Sequence, residues 1–216
     1  CSSMAEAFNN FSDAIEKGEA PLAVAQKSLN ESWRIIFNGN GYSAEWPKEA
    51  EKRGLKNVVS GVEATQALTA DKNIALFDSL GVMSSVETLA RAEAMHDQYA
   101  GMVEIELKCM IEMITRQAVP ACKEVGLDKS VVAALEKGAA QLEKALHTME
   151  SADGSYNTAK AARVARLETM EAVRKTCDEA EMLCPEAKWP IASYKSLLFL
   201  DFEQGNTILA PNVQRV

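Results

Sequence analysis

The sequence predicts an all-α protein, and three observations predict it. Aromatic residues make up only 6% of the chain, while Ala, Leu, Glu, Lys and Met are plentiful, a mixture that favours helix over strand. Apolar residues recur at steps of three and four along most of the length, which is the helical period. The periodic stretches are punctuated by glycines, prolines and Ser-x-x-Glu boxes where helices stop and start. With 216 residues, 47% hydrophobic and 25% charged, the chain has the balance of a globular protein long enough to bury a core.

The elements follow in order. Met4, Phe8, Phe11 and Ile15 give one apolar face ahead of Gly18. Pro21 sits where a helix accepts proline, in its first turn, and Leu22, Ala25, Leu29, Trp33 and Ile36 continue the rhythm. This second helix runs into Arg34-Ile-Ile-Phe-Asn-Gly-Asn-Gly-Tyr-Ser43. Within that stretch Asn38, Gly39, Asn40 and Gly41 read as a stop in left-handed conformation, with Tyr42 and Ser43 completing a junction motif. Ser43 is expected to cap a short helix from Trp46 to Arg53, closed by Gly54. A brief extended connector, Asn57-Val-Val-Ser60, leads to two capping boxes, Ser60 with Glu63 and Ser84 with Glu87. Short helices from Val62 to Leu68 and from Ile74 to Leu80 lie between them.

The Ser84 box opens the longest helical pattern, whose seam is Leu89, Ala92, His96, Tyr99, Val103, Met110, Ile114, Ala118, Ala121 and Val125. Pro120 should kink it, because proline removes a donor and clashes with the preceding turn. After the turn at Leu127-Asp128-Lys129-Ser130, the cleanest periodicity follows: Val132, Leu135, Ala139, Leu142, Leu146 and Met149. Asp153-Gly154 breaks it, and a last helix places Leu167, Met170, Val173, Cys177, Ala180 and Cys184 inward before Pro185. Three long helices joined by short turns predict an antiparallel three-helix bundle over residues 84–184. Burying each Leu or Met of these seams is worth about 1.5–3 kcal/mol, so a charge at Leu142 should be among the costliest changes. Trp189, Tyr194, Leu197, Leu198 and Phe199 are too many bulky groups for a free tail and are expected to dock on a folded surface, with residues 205–216 extending away.

Composition excludes several functions. The net charge of −8 with interspersed signs gives no basic face for nucleic acid. There is no run of eighteen apolar residues for a membrane span, nor a signal peptide. Five cysteines, Cys1, Cys109, Cys122, Cys177 and Cys184, with no CxxC pair, read as free thiols of a reducing compartment, filling core positions. His96 and His147 are the only histidines. Glu93-Ala-Met-His96 has the Glu-x-x-His spacing of a carboxylate di-iron half-site once, and Glu143 to His147 misses it by a residue. Asn38-Gly-Asn-Gly41 lacks the spacing of a phosphate loop and follows a helix, where those loops follow a strand. Met95, Met102, Met110 and Met113 read as core and interface filler. No catalytic, cofactor-binding or metal-binding residue can be assigned.

The junction stretch, followed by Glu45-Trp46 and Lys48-Glu-Ala-Glu-Lys-Arg-Gly-Leu55, resembles type III glutamine synthetase, where the end of the catalytic domain passes into a C-terminal helical domain. Asn73-Ile-Ala-Leu-Phe77 with Gly81-Val82, Val119-Pro120, and Trp189-Pro190 with Tyr194, Leu197, Leu198 and Phe199 resemble further segments of that family in the same order. The resemblance implies a parent ligase that joins ammonia to glutamate with ATP and Mg or Mn, in ring-shaped homo-oligomers of the cytoplasm or a plastid. It also implies that the metal carboxylates and nucleotide site lie upstream, so none maps onto this sequence and the 216-residue segment is expected to be inactive alone. The start at Cys1 fits a piece of a longer polypeptide. The expected parts are residues 1–42, helices from the end of the catalytic domain; 43–83, a linker of short helices; 84–184, the bundle; and 185–216, a docking tail. The alternative is a stand-alone helical scaffold without catalytic activity.

Overall fold

A computed structural model describes residues 1–199, and the expectation for residues 205–216 lies outside them. Every regular element among the described residues is helical. The chain separates into two compact units, Cys1–Met95 and His96–Val216.

The first unit opens with α1 (Ser2–Glu16) and α2 (Pro21–Glu31), with Pro21 in the first turn as its missing N–H allows. α1 touches α2 and the later α5. A 3₁₀ turn, Trp33–Ile35, extends α2. Then come α3 (Glu45–Lys52), α4 (Gly61–Gln66) and α5 (Asp71–Ser79). Ser60 caps α4 by accepting from the Val62 N–H at 3.1 Å. Gly54 ends α3 at φ +69°, its N–H reaching the Glu51 carbonyl and Leu55 N–H the Ala50 carbonyl. This is the Schellman closure that the left-handed glycine permits. Few apolar groups are enclosed: Val24, Ala50, Val62 and Ala92 are buried, and α1 buries none of its side chains.

α6 (Ser85–Met113) begins at the Ser84 box, and the division between the units falls within it. The box is reciprocal: Glu87 N–H donates to Ser84 Oγ at 3.3 Å, and Ser84 N–H donates to Glu87 Oε2 at 2.8 Å. The Ser84 N–H and the Ser84 hydroxyl, both donating to Glu87 Oε2, hold the Glu87 carboxyl below its ordinary value.

In the second unit a π turn, Ile114–Ala118, joins α6 to α7 (Val119–Glu124). This turn stands directly before Pro120, where the sequence predicts a kink. The wider turn removes the need for a bond to the absent proline N–H. α8 (Lys129–Glu150) is capped by Asp128, which accepts from the Ser130 N–H at 2.7 Å. α9 (Ser155–Val164), a second π turn (Ala165–Met170) and α10 (Glu171–Leu183) form the next helical stretch. A 3₁₀ turn, Glu186–Lys188, and the short α11 (Tyr194–Leu198) close the described chain.

One core joins these helices. Val103, Leu107, Ile114, Ala118 and Cys122 meet Val132, Leu135, Ala139, Leu142 and Met149 of α8, and Ala162, Ala165, Val173 and Ala180. Leu107, Leu135 and Leu142 are wholly enclosed, each 0% exposed. The α8 seam lies inward as its periodicity predicts. Two seam expectations need correction. Leu89 is 48% exposed and Leu167 56% exposed. The π turn at Ala165–Met170 inserts an extra residue between the inward Ala165 and Met170, so the phase that would turn Leu167 inward is lost. Leu107 and Cys122, absent from the expected seam, are core residues.

Ion pairs trim the second unit. Arg166 meets Glu106 at 3.2 Å, Lys123 meets Glu136 at 2.8 Å, and Lys188 meets Glu124 at 2.7 Å. All are substantially exposed, so each contributes little, and the enclosed apolar side chains dominate.

Candidate functional site: the junction and the docking surface

At the junction, the cation of Arg53 is the organiser. Its Nη1 donates to the Ile36 carbonyl at 2.7 Å and to the Arg34 carbonyl at 3.4 Å, while its Nε donates to Glu49 Oε1 at 2.7 Å. The bond holds the Glu49 carboxyl below its ordinary value. The same guanidinium lies 6.0 Å from the Phe37 ring centre and 5.9 Å from that of Trp46, and the two rings are 4.5 Å apart. A helix-borne Arg thus fastens the strand-like exit of the 3₁₀ turn onto α3, using its fork of donors and an aromatic pair.

The motif residues fill other roles than expected. Neither Gly39 nor Gly41 has a positive φ. The helix has already ended at Trp33–Ile35, with Ile36 extended, before the glycines are reached. Gly39 lies against the Phe37 ring: a Cβ there would stand 2.6 Å from Cζ of Phe37, so that ring would have to move aside. Asn40 makes the turn, its Oδ1 accepting from the Tyr42 N–H at 3.0 Å and its carbonyl from the Ser43 N–H at 3.0 Å. Ser43 does not cap α3. Ala44 occupies the cap position, the Ser43 carbonyl accepts from Trp46 N–H at 3.3 Å, and its buried hydroxyl oxygen has no hydrogen bond among the described residues. Tyr42 stands fully exposed at the tip, and Asn38 is also exposed. Phe37 and Arg53 are the residues sequence reasoning passed over. Their signal was the Glu49–Arg53 spacing of four on a short helix, which pre-sets an ion pair.

Of the five docking candidates, Trp189 packs on the second-unit core, half-buried. Tyr194 is exposed but tied: its hydroxyl accepts from Arg174 Nη2 at 3.1 Å, while Arg174 Nε pairs with Asp178 at 3.0 Å. Those bonds push the Arg174 pKa up. Leu197, Leu198 and Phe199 are exposed. Trp189, Tyr194 and Leu197 line a cleft of about 420 Å³ together with Met110, Met113 and Cys177. Of the five, Trp189 alone is packed against that core, while the Leu197 and Leu198 side chains are exposed.

The remaining candidates are scattered. His96 is enclosed, its ring 5.3 Å from that of Tyr156, and His147 is exposed. Among the described residues no three His, Cys, Asp or Glu side chains gather as a metal site would require. Among the described residues no helix is long and apolar enough to cross a membrane. Cys122 and Cys184 are buried and Cys177 is half-buried, as core filler should be, but Cys1 and Cys109 are exposed.

The described residues define an all-α protein. The chain belongs to the glutamine synthetase C-terminal domain family, whose family model matches residues 20–137. It is 30% identical over 211 residues to a glutamine synthetase of Butyrivibrio fibrisolvens, covering 85% of this chain and 30% of that relative. It is 24% identical over 208 residues to a type-3 glutamine synthetase of Dictyostelium discoideum, covering 82% of this chain and 28% of that protein. A glutamine synthetase of Bacteroides fragilis is 24% identical over 235 residues, covering 91% and 32%. The chain thus spans about a third or less of the length of these curated relatives.

Proposed function

We propose that this chain is the C-terminal helical part of a type III glutamine synthetase, a ligase of nitrogen metabolism that makes glutamine from glutamate and ammonia with ATP. In this reading ATP and Mg or Mn bind the upstream catalytic domain, and the present segment supports packing and assembly of a ring-shaped homo-oligomer. Residues 1–42 close the catalytic domain, 43–83 link, 84–184 form the appended bundle, and 185–216 dock it. The observation that carries the reading is the apolar face left open by α1, α2 and the following turn. Met4, Phe8, Leu22, Leu29 and Trp33 are all exposed, Phe8 by 64% and Trp33 by 63%. Monomeric proteins seldom leave so many large apolar side chains together in water, and a longer polypeptide of this family would cover them.

The test compares the full-length product of the reading frame that encodes this chain with its Phe8→Asp, Trp33→Asp variant. The expected result is glutamine formation and a large oligomer for the parent, with a smaller species and reduced activity for the variant. The 216-residue chain alone is expected to form no glutamine. A variant with unchanged sedimentation and activity would overturn the assignment of that face.

A further inference from the structure

The loop between the 3₁₀ turn and α3 holds two Asn-Gly pairs, Asn38-Gly39 and Asn40-Gly41, all four residues exposed and outside any helix. Among the described residues, neither the Gly39 N–H nor the Gly41 N–H donates to a backbone carbonyl. The two pairs differ in their surroundings. The Phe37 ring lies against Gly39, whereas nothing stands within 4 Å of where a Gly41 Cβ would be. The Asn40 side chain is also held, its Oδ1 accepting from the Tyr42 N–H at 3.0 Å. The ring closed by that bond runs through Gly41, so it turns Asn40 Cγ back toward the Gly41 peptide.

We propose that Asn40-Gly41 is a self-modification site, at which the Gly41 nitrogen attacks the Asn40 side-chain amide and water completes a deamidation. The Gly41 nitrogen gives up its proton and bonds Cγ, the Cγ–Nδ2 bond breaks, and ammonia leaves with that proton. Negative charge develops on Oδ1 in the attack, and the Tyr42 N–H that already donates there stabilises it. Water then opens the succinimide ring at either carbonyl, giving aspartate or isoaspartate at position 40. Nothing is oxidised or reduced, and water is the only co-reactant. With no Cβ on Gly41, the approach to Cγ is unobstructed and the backbone turns into the reactive geometry without a side-chain clash. Both products add a negative charge to the loop. Isoaspartate also lengthens the main chain by one carbon, which displaces the Asn40 carbonyl from the Ser43 N–H it bonds at 3.0 Å. The turn ahead of α3 therefore loosens irreversibly with age. The inference is independent of the ligase reading, since it uses only this loop and water.

The test incubates the chain in mildly alkaline buffer and follows positions 38 and 40 by peptide mapping, with isoaspartate counted by protein isoaspartyl methyltransferase. Position 40 is expected to convert several-fold faster than position 38, with ammonia released in matching amount and a rate that rises with pH. The preference should vanish in urea, where only the shared Asn-Gly chemistry remains. Gly41→Ala, whose Cβ enters open space, should slow conversion at position 40 about tenfold or more by restricting the backbone and shielding its nitrogen. Tyr42→Pro removes the donor to Oδ1 and should slow it about fivefold, the rate equivalent of one ordinary hydrogen bond. Position 38 is the internal reference in both variants. No conversion at position 40, equal rates at the two positions in the native chain, a preference that persists in urea, or an unchanged rate in either variant would each overturn the proposal.

Discussion

The two units of this protein solve the problem of apolar surface in opposite ways. The second encloses a core of large side chains, although others such as Ile105 and Leu167 stay exposed: Leu107, Leu135, Leu142, Val103 and Val173 lie wholly inside a core drawn from three helical stretches. The first encloses mostly small groups, Val24, Ala50 and Val62 among them, and leaves Met4, Phe8, Ile15, Leu22, Leu29 and Trp33 exposed. Both units have amphipathic helices, so amphipathicity alone does not tell a self-sufficient core from a face made to be covered. What distinguishes them is whether a second helix returns to the same stripe. α8 is met along its length by α7, α9 and α10, whereas α1 has only small contacts with α2 and α5.

The largest break in this contrast should come from Leu142→Glu. It places an unpaired charge at the centre of the enclosed core, a change worth at least about 3–5 kcal/mol. Urea denaturation followed by far-ultraviolet dichroism should show loss of the second unit's transition. A matched change on the open face, Leu22→Glu, should leave the midpoint of the isolated chain nearly unmoved. Equal effects at the two sites would erase the distinction.

Gly39→Val comes next. Its Cβ would enter the Phe37 ring space, and the ring would have to shift against Trp46, a crowding cost of about 1 kcal/mol, the low end for overpacking. The loss should appear as a change in Trp46 fluorescence, and Phe37→Leu in the same chain should restore part of it. If Gly39→Val costs nothing, the steric account of this glycine is wrong.

A smaller effect is expected where α8 and α10 touch. A Cβ on Gly138 would stand 3.0 Å from Cγ1 of Val173. Gly138→Ala gains about 1 kcal/mol of helix propensity and loses a similar amount or more to crowding. It should therefore stabilise clearly only when combined with Val173→Ala. A double-mutant cycle with no coupling would show that the helices do not approach this closely.

The smallest effect is one of pH. Burial pushes the Cys177 thiol from its ordinary 9.0 up to about 11. The folded state therefore favours the neutral thiol. Its contribution to stability is complete below pH 9 and is lost as pH rises from 9 to about 11. Alkylation of Cys177 in the native chain should be slow at pH 8 and accelerate toward pH 11. A rate already at plateau by pH 9 would place this thiol outside the core.

Much of this architecture was legible because local chemistry and tertiary packing agree. The Ser84–Glu87 box, Pro21 in a first turn, the Gly54 closure and the α8 seam each follow from a few neighbouring residues, and each stands where the sequence puts it. The misses share a cause, which is non-local. Leu167 points outward because a π turn, without a proline to announce it, resets the phase of its helix. Leu107 belongs to the core although the seam was drawn past it, since Val103, Leu107 and Met110 share one helical face. Ser43 has the right spacing for a cap but is held by Asn40, and Gly39 lies beside an aromatic ring two residues away. In the docking stretch, Trp189 is half-buried against the second-unit core. The Arg174–Tyr194 bond was not legible, because it joins residues twenty apart in sequence.

The proposed function holds that the open face of α1 and α2 is covered in a longer glutamine synthetase polypeptide. Hydrogen–deuterium exchange tests this most directly, by comparing residues 2–31 in the 216-residue chain and in the full-length product of its reading frame. The account predicts that these amides exchange at least about tenfold more slowly in the full-length protein, because opening a covered helix carries a larger free-energy cost, while α8 exchanges equally slowly in both. Equal exchange of residues 2–31 in the two proteins would contradict it.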